Sequence, residues 1–404
     1  MIQNVLLLTS DKIQPIQRLA TRPHLNVIPM VASRYARHFT GFDDVVLVDD
    51  IADISAVTCA FAEVLRRRPI DRIIATTDRS MPTGGWLRTH FGFPGTSMET
   101  AQYFSNKLAM KARLVEAEIP CAAFRRIGHP RQLLDSQVSW PLVVKPATAS
   151  GTVDVWKLDS PQHLQHLLNG GALDVFDSAT SALLAENFVE MVDEYHVDAI
   201  VRRGQIRFAV PFRYITPPLQ ARGSFYGAVM LDDDDPKAEA LIALLGRVVS
   251  AFGLSDGVLH LEVFDTLAGL MVGEVACRPG GAGSSELMQD LLGVDIWDAF
   301  IGAHLDEPGL TATSFKRPPG VHGYFGLPGR NGLVRNLSSA EELEAIPGVR
   351  RAQIFCGLGD TLHGKKGSAV FFAGVVFFHL DDYDELPILL SEVKRRFVFD
   401  VQLF

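Results

Sequence analysis

The sequence is poor in cysteine, and its four cysteines, Cys59, Cys121, Cys277 and Cys356, are far apart. They form no CxxC pair, which argues against a zinc site and against a disulfide framework. The sequence also lacks an apolar stretch of the ~20 residues that a membrane-spanning helix needs. No basic leader precedes the first apolar run, so we expect no signal peptide and a cytoplasmic location.

Positive charge is scarce as well. Lys and Arg total 38 against 47 Asp and Glu, and the formal net charge is −9. A general nucleic-acid binder needs a clustered surplus of Lys and Arg, so we expect no nucleic-acid partner. No GxGxxG follows the first apolar run, which argues against a dinucleotide site. We find no Ser-His-Asp or catalytic-cysteine arrangement in the sequence.

The first hundred residues do contain a regular pattern of short apolar runs. Val5–Leu8, Val27–Val31, Val45–Val48 and Arg72–Ala75 have the composition of buried strands, and Ile54–Arg68 has helical periodicity. Strands that alternate with helices are typical of an open, parallel α/β sheet.

A second pattern is a hairpin with two glutamates. If Phe264 pairs with Val272, then Glu262 and Glu274 lie directly opposite each other on one face. Two such carboxylates ~4 Å apart repel by about 4 kcal/mol at an effective dielectric of about 20. A bound Mg²⁺ removes this repulsion, and Arg278 follows closely with a guanidinium suited to a carboxylate or phosphoryl group. The alternative is a pair of exposed glutamates in a polar hairpin.

Lysines and a small-residue loop form the next candidate site. Lys145 ends a buried strand, where an unpaired ammonium would be costly, and must therefore reach an anion or water. The loop after it contains Ser150, Gly151 and Thr152, whose backbone amides can approach phosphate oxygens. Lys107 precedes a helical stretch and has a plain alternative interpretation as a surface lysine.

These pieces occur in a fixed order and, with an apolar segment around Phe188, resemble the ATP-grasp superfamily in its carboxylate–amine ligase branch. Bacterial L-amino-acid ligases are the members that the chain resembles most. The resemblance covers residues 90–305 in detail. The matching segments are Phe93–Ser97, Ser105–Lys107, Glu118–Pro120, Leu142–Pro146, Ala185–Val189 with Glu194, His260–Glu262, and Gly273–Glu274 with Arg278–Gly281.

The resemblance implies an α/β fold in four parts. Residues 1–104 would form an N-terminal open parallel α/β domain, the pre-ATP-grasp domain. Residues 105–190 would form the lid and central part of a two-part α+β ATP-grasp domain, and residues 191–304 its catalytic part with the metal hairpin. Residues 305–404 would form a C-terminal α/β subdomain.

The resemblance also implies roles for individual residues. Those expected to contact ATP are Lys107, Lys145, Ser150, Gly151, Thr152, Glu186, Phe188, Val189 and Glu194. Glu262 and Glu274 would hold Mg²⁺, with Mn²⁺ as a substitute ion, and Arg278 would face the acyl phosphate. Arg213 and Ser284 are candidates for binding the substrates.

The expected function is ATP-dependent coupling of a carboxylate to an amine through an acyl phosphate, with release of ADP and phosphate. Small-molecule substrates resembling amino acids, and a homodimer, are expected from the family. One alternative is a carboxylase that uses bicarbonate, similar to purine-pathway or biotin-dependent enzymes. Another is a nucleotide-binding protein without ligase activity. Ala276 favours the latter, because many ATP-grasp members have a metal-binding Asn there.

Overall fold

The structure is a computed structural model of the 404-residue chain. The residues it describes are 2–10, 12–149, 151–179, 181–221, 223–307, 316–364 and 371–403. Within them the strands form four sheets, one parallel and three antiparallel. The expected α/β fold class is therefore confirmed.

The N-terminal sheet is parallel, with strand order β3-β2-β1-β4. Most apolar residues of its strands are buried, as the runs in the sequence predict, but Leu47 is exposed. The strands are β1 (Gln3–Thr9), β2 (Leu25–Ala32), β3 (Val46–Val48) and β4 (Arg72–Ala75). The helices around and after this sheet are α1 (Ile13–Ala20), α2 (Ile54–Arg67), α3 (Met81–Phe91), α4 (Met98–Ser105) and α5 (Lys107–Glu116).

Polar caps fix the start of the helices that lead into the next part of the chain. The Ser97 hydroxyl accepts a hydrogen bond from the backbone N–H of Thr100 and caps α4. The Asn106 side chain accepts from two backbone N–H groups and caps α5. A cap satisfies amides that a helix leaves unpaired. Lys107 is thereby fixed as the first residue of α5.

A second sheet is antiparallel, with strand order β5-β8-β6-β7. Its strands are β5 (Phe124–Ile127), β6 (Leu142–Pro146), β7 (Trp156–Leu158) and β8 (Leu183–Asn187), with the helix α6 (Pro161–Asn169). An apolar cluster that includes Leu142, Val144 and Leu158 packs behind this sheet.

The largest sheet has eight antiparallel strands in the order β13-β12-β9-β10-β11-β14-β18-β16, and β17, β15 and β19 form a small separate sheet. The strands are β9 (Asp193–Arg202), β10 (Gln205–Tyr214), β11 (Tyr226–Met230), β12 (Gly257–Thr266), β13 (Gly269–Ala276), β14 (Val321–Pro328), β15 (Gly332–Leu337), β16 (Val349–Ile354), β17 (Thr361–Leu362), β18 (Phe372–Leu380) and β19 (Phe399–Gln402). The helices are α7 (Pro236–Phe252), α8 (Ser284–Leu292), α9 (Ile296–Leu305), α10 (Ala340–Glu344) and α11 (Leu386–Arg396).

This large sheet includes strands from both sides of the expected boundary at residue 305, because β11 pairs with β14. The division into four parts stays a prediction, as does the homodimer. None of the described helices combines the length and the apolar character needed to cross a membrane.

The hairpin of β12 and β13 carries the two glutamates opposite each other, as predicted. Glu262 pairs with Glu274. The pairing of Phe264 with Val272 is wrong, because the register shifts by one residue and Phe264 pairs with Met271. Gly273 is the extra residue of this bulge, and a Cβ there would lie 2.9 Å from the Phe264 ring. Glycine therefore allows the register shift next to the glutamate pair.

Candidate active site

A cavity of about 620 Å³ opens between the parallel N-terminal sheet, the antiparallel sheet of β5 to β8, and the hairpin of β12 and β13 that carries the two glutamates. Eleven of the fourteen predicted site residues line it, and Ser150 lies outside the described residues. The eleven are Lys107, Lys145, Gly151, Thr152, Glu186, Phe188, Val189, Glu194, Glu262, Glu274 and Arg278. Residues that are distant in sequence are therefore brought to one cavity.

The two hairpin glutamates face this cavity and each has a cationic neighbour. Oε1 of Glu274 lies 2.9 Å from Nζ of Lys107, and Oε1 of Glu262 lies 3.6 Å from Nε2 of His260. Their side chains are 30% and 29% exposed, so both carboxylates are open on the cavity side. Burial opposes ionisation of Glu262, but His260 outweighs it and lowers the pKa of the carboxyl. Two carboxylates on one open face fit the oxygen ligands that Mg²⁺ prefers.

Lys107 connects this carboxylate pair to the loop after β6. Its ammonium donates a hydrogen bond to the carbonyl oxygen of Ala149 while it pairs with Glu274. The side chain is 8% exposed, so the sequence-based alternative of a surface lysine is wrong. An ammonium at this point can contact both the loop and an anion in the cavity.

Glu186 lies between two lysines. Its Oε1 is 2.6 Å from Nζ of Lys145, and its Oε2 is 2.8 Å from Nζ of Lys111. Burial opposes ionisation of Glu186, but the two ammonium groups outweigh burial and lower its pKa to about 2. The two lysines thus favour the ionised form of Glu186, which pairs with Lys145 at the cavity wall. Lys111 is not among the residues predicted from the sequence, although its i+4 spacing from Lys107 places both lysines on one helix face.

Replacing Lys111 with methionine is expected to destabilise the fold by about 3 kcal/mol, because it leaves the buried Glu186 carboxylate with Lys145 alone. Denaturant unfolding followed by fluorescence measures this loss. Lys394→Met removes an exposed lysine of α11 and is the control. Equal unfolding midpoints for the two variants would contradict the stabilising role of Lys111.

Arg278 is fixed by an aspartate from the N-terminal sheet. Its Nε donates to Oδ1 and Oδ2 of Asp78 at 2.8 and 2.9 Å, and its Nη1 donates to the carbonyl of Pro279. Burial disfavours the charged guanidinium, but Asp78 outweighs it and raises the Arg278 pKa. Asp78 is not among the residues predicted from the sequence. Its position just after strand β4 is the signal that could have found it, because ligands bind beyond the carboxyl ends of parallel strands.

A network of largely buried polar side chains contacts Glu262 through His260. Asp198 lies 2.9 Å from Nδ1 of His260 and 3.2 Å from Nδ1 of His196. One potential metal-ligand atom from each of these three side chains lies within 4.8 Å of the other two, so the group could in principle hold a metal ion. Of the three residues, however, only His260 lines the cavity. Burial disfavours a charged His260, and Asp198 outweighs burial and raises its pKa to about 10. Asp198 thus favours the charged form of His260 beside Glu262.

Glu194 lines the same cavity with only 5% of its surface exposed. Burial, with a smaller contribution from Glu262, raises the pKa of its carboxyl well above the ordinary value. A carboxyl that holds its proton can donate as well as accept a hydrogen bond.

Two predicted substrate residues are outside the cavity wall. The guanidinium of Arg213 lies 4.3 Å from the centre of the Tyr383 ring, and Ser284 is fully buried at the start of α8. Neither residue lines the cavity. Their role in substrate binding therefore has no support from the geometry.

Comparison with known proteins gives a consistent result. No protein-family model matches the chain. It is 32% identical over 403 residues to an L-arginine-specific L-amino acid ligase of Bacillus subtilis, covering 97% of this chain and 96% of the relative. The chain belongs to the ATP-grasp family of carboxylate–amine ligases. As a member of this family, it is an ATP-dependent ligase that forms a carbon–nitrogen bond.

Solved structures of ATP-grasp enzymes have the same fold as this ligase. An L-amino acid ligase from Bacillus licheniformis superposes with a TM-score of 0.78 at 17% identity, covering 99% of both chains. A carboxyaminoimidazole ribonucleotide synthase from Aspergillus clavatus, crystallised with ATP, gives 0.73 at 17% identity over 98% of this chain and 99% of that one. At these identities the likeness shows the fold alone.

Proposed function

We propose that this ligase joins the carboxylate of one amino acid to the amine of a second one, in the cavity described above. The observation that carries the proposal is the meeting of Glu262, Glu274, Lys107, Lys145 and Arg278 around one cavity. A volume of about 620 Å³ is in the range of small-molecule sites.

The chemistry requires activation, because a carboxylate has no leaving group that an amine could displace. Transfer of the γ-phosphate of ATP to the carboxylate gives an acyl phosphate and ADP. The amine then attacks the acyl carbon, the carbon–oxygen bond to phosphate breaks, and the amine loses a proton. Phosphoryl transfer brings two anions together, so positioning and charge neutralisation supply most of the catalysis.

We assign the nucleotide to the wall formed by β6, β8 and the loop after β6. Lys107 and Lys145 would contact its phosphates, together with the loop that contains Ser150, Gly151 and Thr152. The backbone of Phe188 and Val189 would contact the adenine. Both oxygens of Glu186 face lysines, so Glu186 would act on ATP mainly by fixing Lys145. Glu194 would bind the ribose hydroxyls.

We assign Mg²⁺ to Glu262 and Glu274, with Mn²⁺ as a substitute ion. The ion would neutralise phosphate charge during the transfer. Ala276 lines the cavity and has no side-chain ligand atom, so binding would depend mainly on the two glutamates, ATP and water.

Arg278 would face the carboxylate while it becomes an acyl phosphate. A guanidinium can hold two oxygens at once, and Asp78 occupies its Nε. The remaining N–H groups of Arg278 could then bind a substrate oxygen.

The cytoplasmic location of the enzyme remains a prediction.

The test is ADP and phosphate release from ATP and Mg²⁺ in the presence of the amino acids, singly and in pairs, with product masses recorded. We expect ADP release that depends on a particular pair, and a product mass equal to both substrates minus water. ADP release with bicarbonate alone would indicate a carboxylase instead. AMP in place of ADP would contradict the acyl phosphate, and no turnover with any pair would contradict the proposed substrates.

A further inference from the structure

A buried tyrosine beside the proposed metal site has no role in the reaction described above. The hydroxyl of Tyr214 donates a hydrogen bond of 3.4 Å to Oε1 of Glu262. Tyr214 is only 4% exposed and does not line the cavity, so a ligand in the cavity does not contact it. Any effect of Tyr214 on the reaction must therefore pass through the side chains that it contacts.

The topology explains why a long side chain is needed for this contact. Tyr214 is the last residue of β10 and Glu262 lies in β12, with β9 between the two strands. Neighbouring strands are about 4.8 Å apart, so the backbones of β10 and β12 are separated by roughly twice that distance. Tyrosine combines a long, rigid ring with a donor at its far end. Phenylalanine has the same ring but no donor.

Aromatic neighbours hold the Tyr214 ring in place. Its centre lies 4.9 Å from the centre of the His196 ring in β9 and 5.4 Å from that of the Tyr226 ring in β11. His196 is itself fixed, because it is fully buried and its ring stacks on Phe212 at 4.7 Å. The register places His196 between Glu262 and Phe212. This packing restricts the Tyr214 ring, so its hydroxyl is preorganised beside Glu262.

The Tyr214 hydroxyl is also hydrogen-bonded to Tyr226, which lines the cavity. A hydroxyl has one proton to donate and can accept a second hydrogen bond at the same time. A carboxylate that binds a metal ion is ionised and can only accept. The proton of Tyr214 therefore serves Glu262, and Tyr226 donates to Tyr214.

The two glutamates of the hairpin are held by different means. Oε1 of Glu274 pairs with the ammonium of Lys107, whereas Oε1 of Glu262 accepts from the neutral Tyr214 hydroxyl. Groups that bind a metal ion are commonly oriented by hydrogen bonds from residues behind them. Tyr214 is in such a position, because it contacts Glu262 from outside the cavity.

We infer that Tyr214 is a positioning residue for metal binding, whose hydroxyl fixes the Glu262 carboxylate in the orientation that binds the ion. This inference rests on the proposed assignment of Mg²⁺ to Glu262 and Glu274. A carboxylate that rotates freely must be ordered when the ion binds, and the lost entropy weakens binding. Loss of a hydrogen bond of this kind typically lowers metal affinity about 10- to 100-fold.

The experiment measures Mn²⁺ binding to the full-length enzyme, followed by the loss of the electron paramagnetic resonance signal of the free ion. Tyr214→Phe removes the hydroxyl and keeps the ring, and we expect its Kd for Mn²⁺ to be about tenfold higher, or more. Tyr195→Phe is the matched control, because Tyr195 is another largely buried tyrosine of the same sheet and is outside the cavity wall. Its Kd should be that of the unmodified enzyme. Glu262→Gln should also raise the Kd, since it removes a proposed ligand.

ADP release over a series of Mg²⁺ concentrations is the second readout. Tyr214→Phe should need about tenfold more Mg²⁺ for its half-maximal rate and should recover a nearly normal kcat at saturating Mg²⁺. A general loss of structure would not be reversed by the ion. Matching thermal unfolding curves for Tyr214→Phe and Tyr195→Phe would establish that both variants fold.

Equal Mn²⁺ affinity in the unmodified enzyme and Tyr214→Phe, with weaker binding in Glu262→Gln, would overturn the inference and leave the metal assignment intact. An equal loss of affinity in Tyr195→Phe would also overturn it, because the effect would then follow from removing any buried hydroxyl. Unchanged affinity in Glu262→Gln would contradict the metal assignment itself, and the inference with it.

Discussion

Replacing Glu274 with glutamine is expected to abolish ADP release, with a loss of at least about 10²-fold in kcat. The change keeps the shape of the side chain but removes the negative charge opposite Glu262. Mg²⁺ would then have one carboxylate in place of two, and the charge that accumulates during phosphoryl transfer would be less well neutralised. The measurement is ADP release at saturating ATP over a series of Mg²⁺ concentrations.

The fold should tolerate the Glu274→Gln change, since the side chain is partly exposed and the backbone pairing of β12 with β13 does not depend on it. An unchanged thermal unfolding curve would establish this. Glu190→Gln is the matched control, because Glu190 is exposed, lies near the cavity and does not line it. Full activity of the Glu274→Gln variant would contradict the assignment of Mg²⁺ to Glu262 and Glu274.

Replacing Lys145 with alanine is expected to lower kcat/KM for ATP by about 10²-fold. Two effects act in the same direction. The proposed phosphate contact is lost, and the Glu186 carboxylate, left with Lys111 alone, turns a less neutralised negative charge toward the nucleotide. Steady-state rates at varied ATP, combined with direct nucleotide binding, separate the loss of affinity from the loss of turnover.

The Lys316→Ala variant controls for the removal of a positive charge, since Lys316 is exposed and outside the cavity wall. It should behave as the unmodified enzyme. If Lys145→Ala retained the normal kcat/KM for ATP, Lys145 would have to be removed from the proposed nucleotide site.

The sequence was sufficient to predict the parts of the fold that depend on local pattern. Buried strands such as β1 and β2 are continuous apolar runs, and the two-residue periodicity of the hairpin placed Glu262 opposite Glu274. The same periodicity gives the wrong partner for Phe264. Periodicity alone cannot predict a bulge, and the bulge here depends on the packing of Gly273 against the Phe264 ring.

The residues that sequence reasoning missed act through contacts between distant segments. Asp78 and Arg278 are 200 residues apart, and nothing near either one indicates the other. Lys111 is paired across two elements with Glu186 in β8. Conversely, Arg213 is a candidate substrate residue because it lies in a polar segment of the sequence, and neither that segment nor the one around Tyr383 indicates the contact between the two side chains.

The ion pair of Asp78 and Arg278 connects the segment after the glutamate hairpin to the N-terminal part of the chain. Asp78 lies in the loop after β4, so any displacement of that loop moves the partner of the Arg278 guanidinium. Substitutions in this loop are therefore expected to change the position of Arg278, although the two residues are 200 positions apart in the sequence.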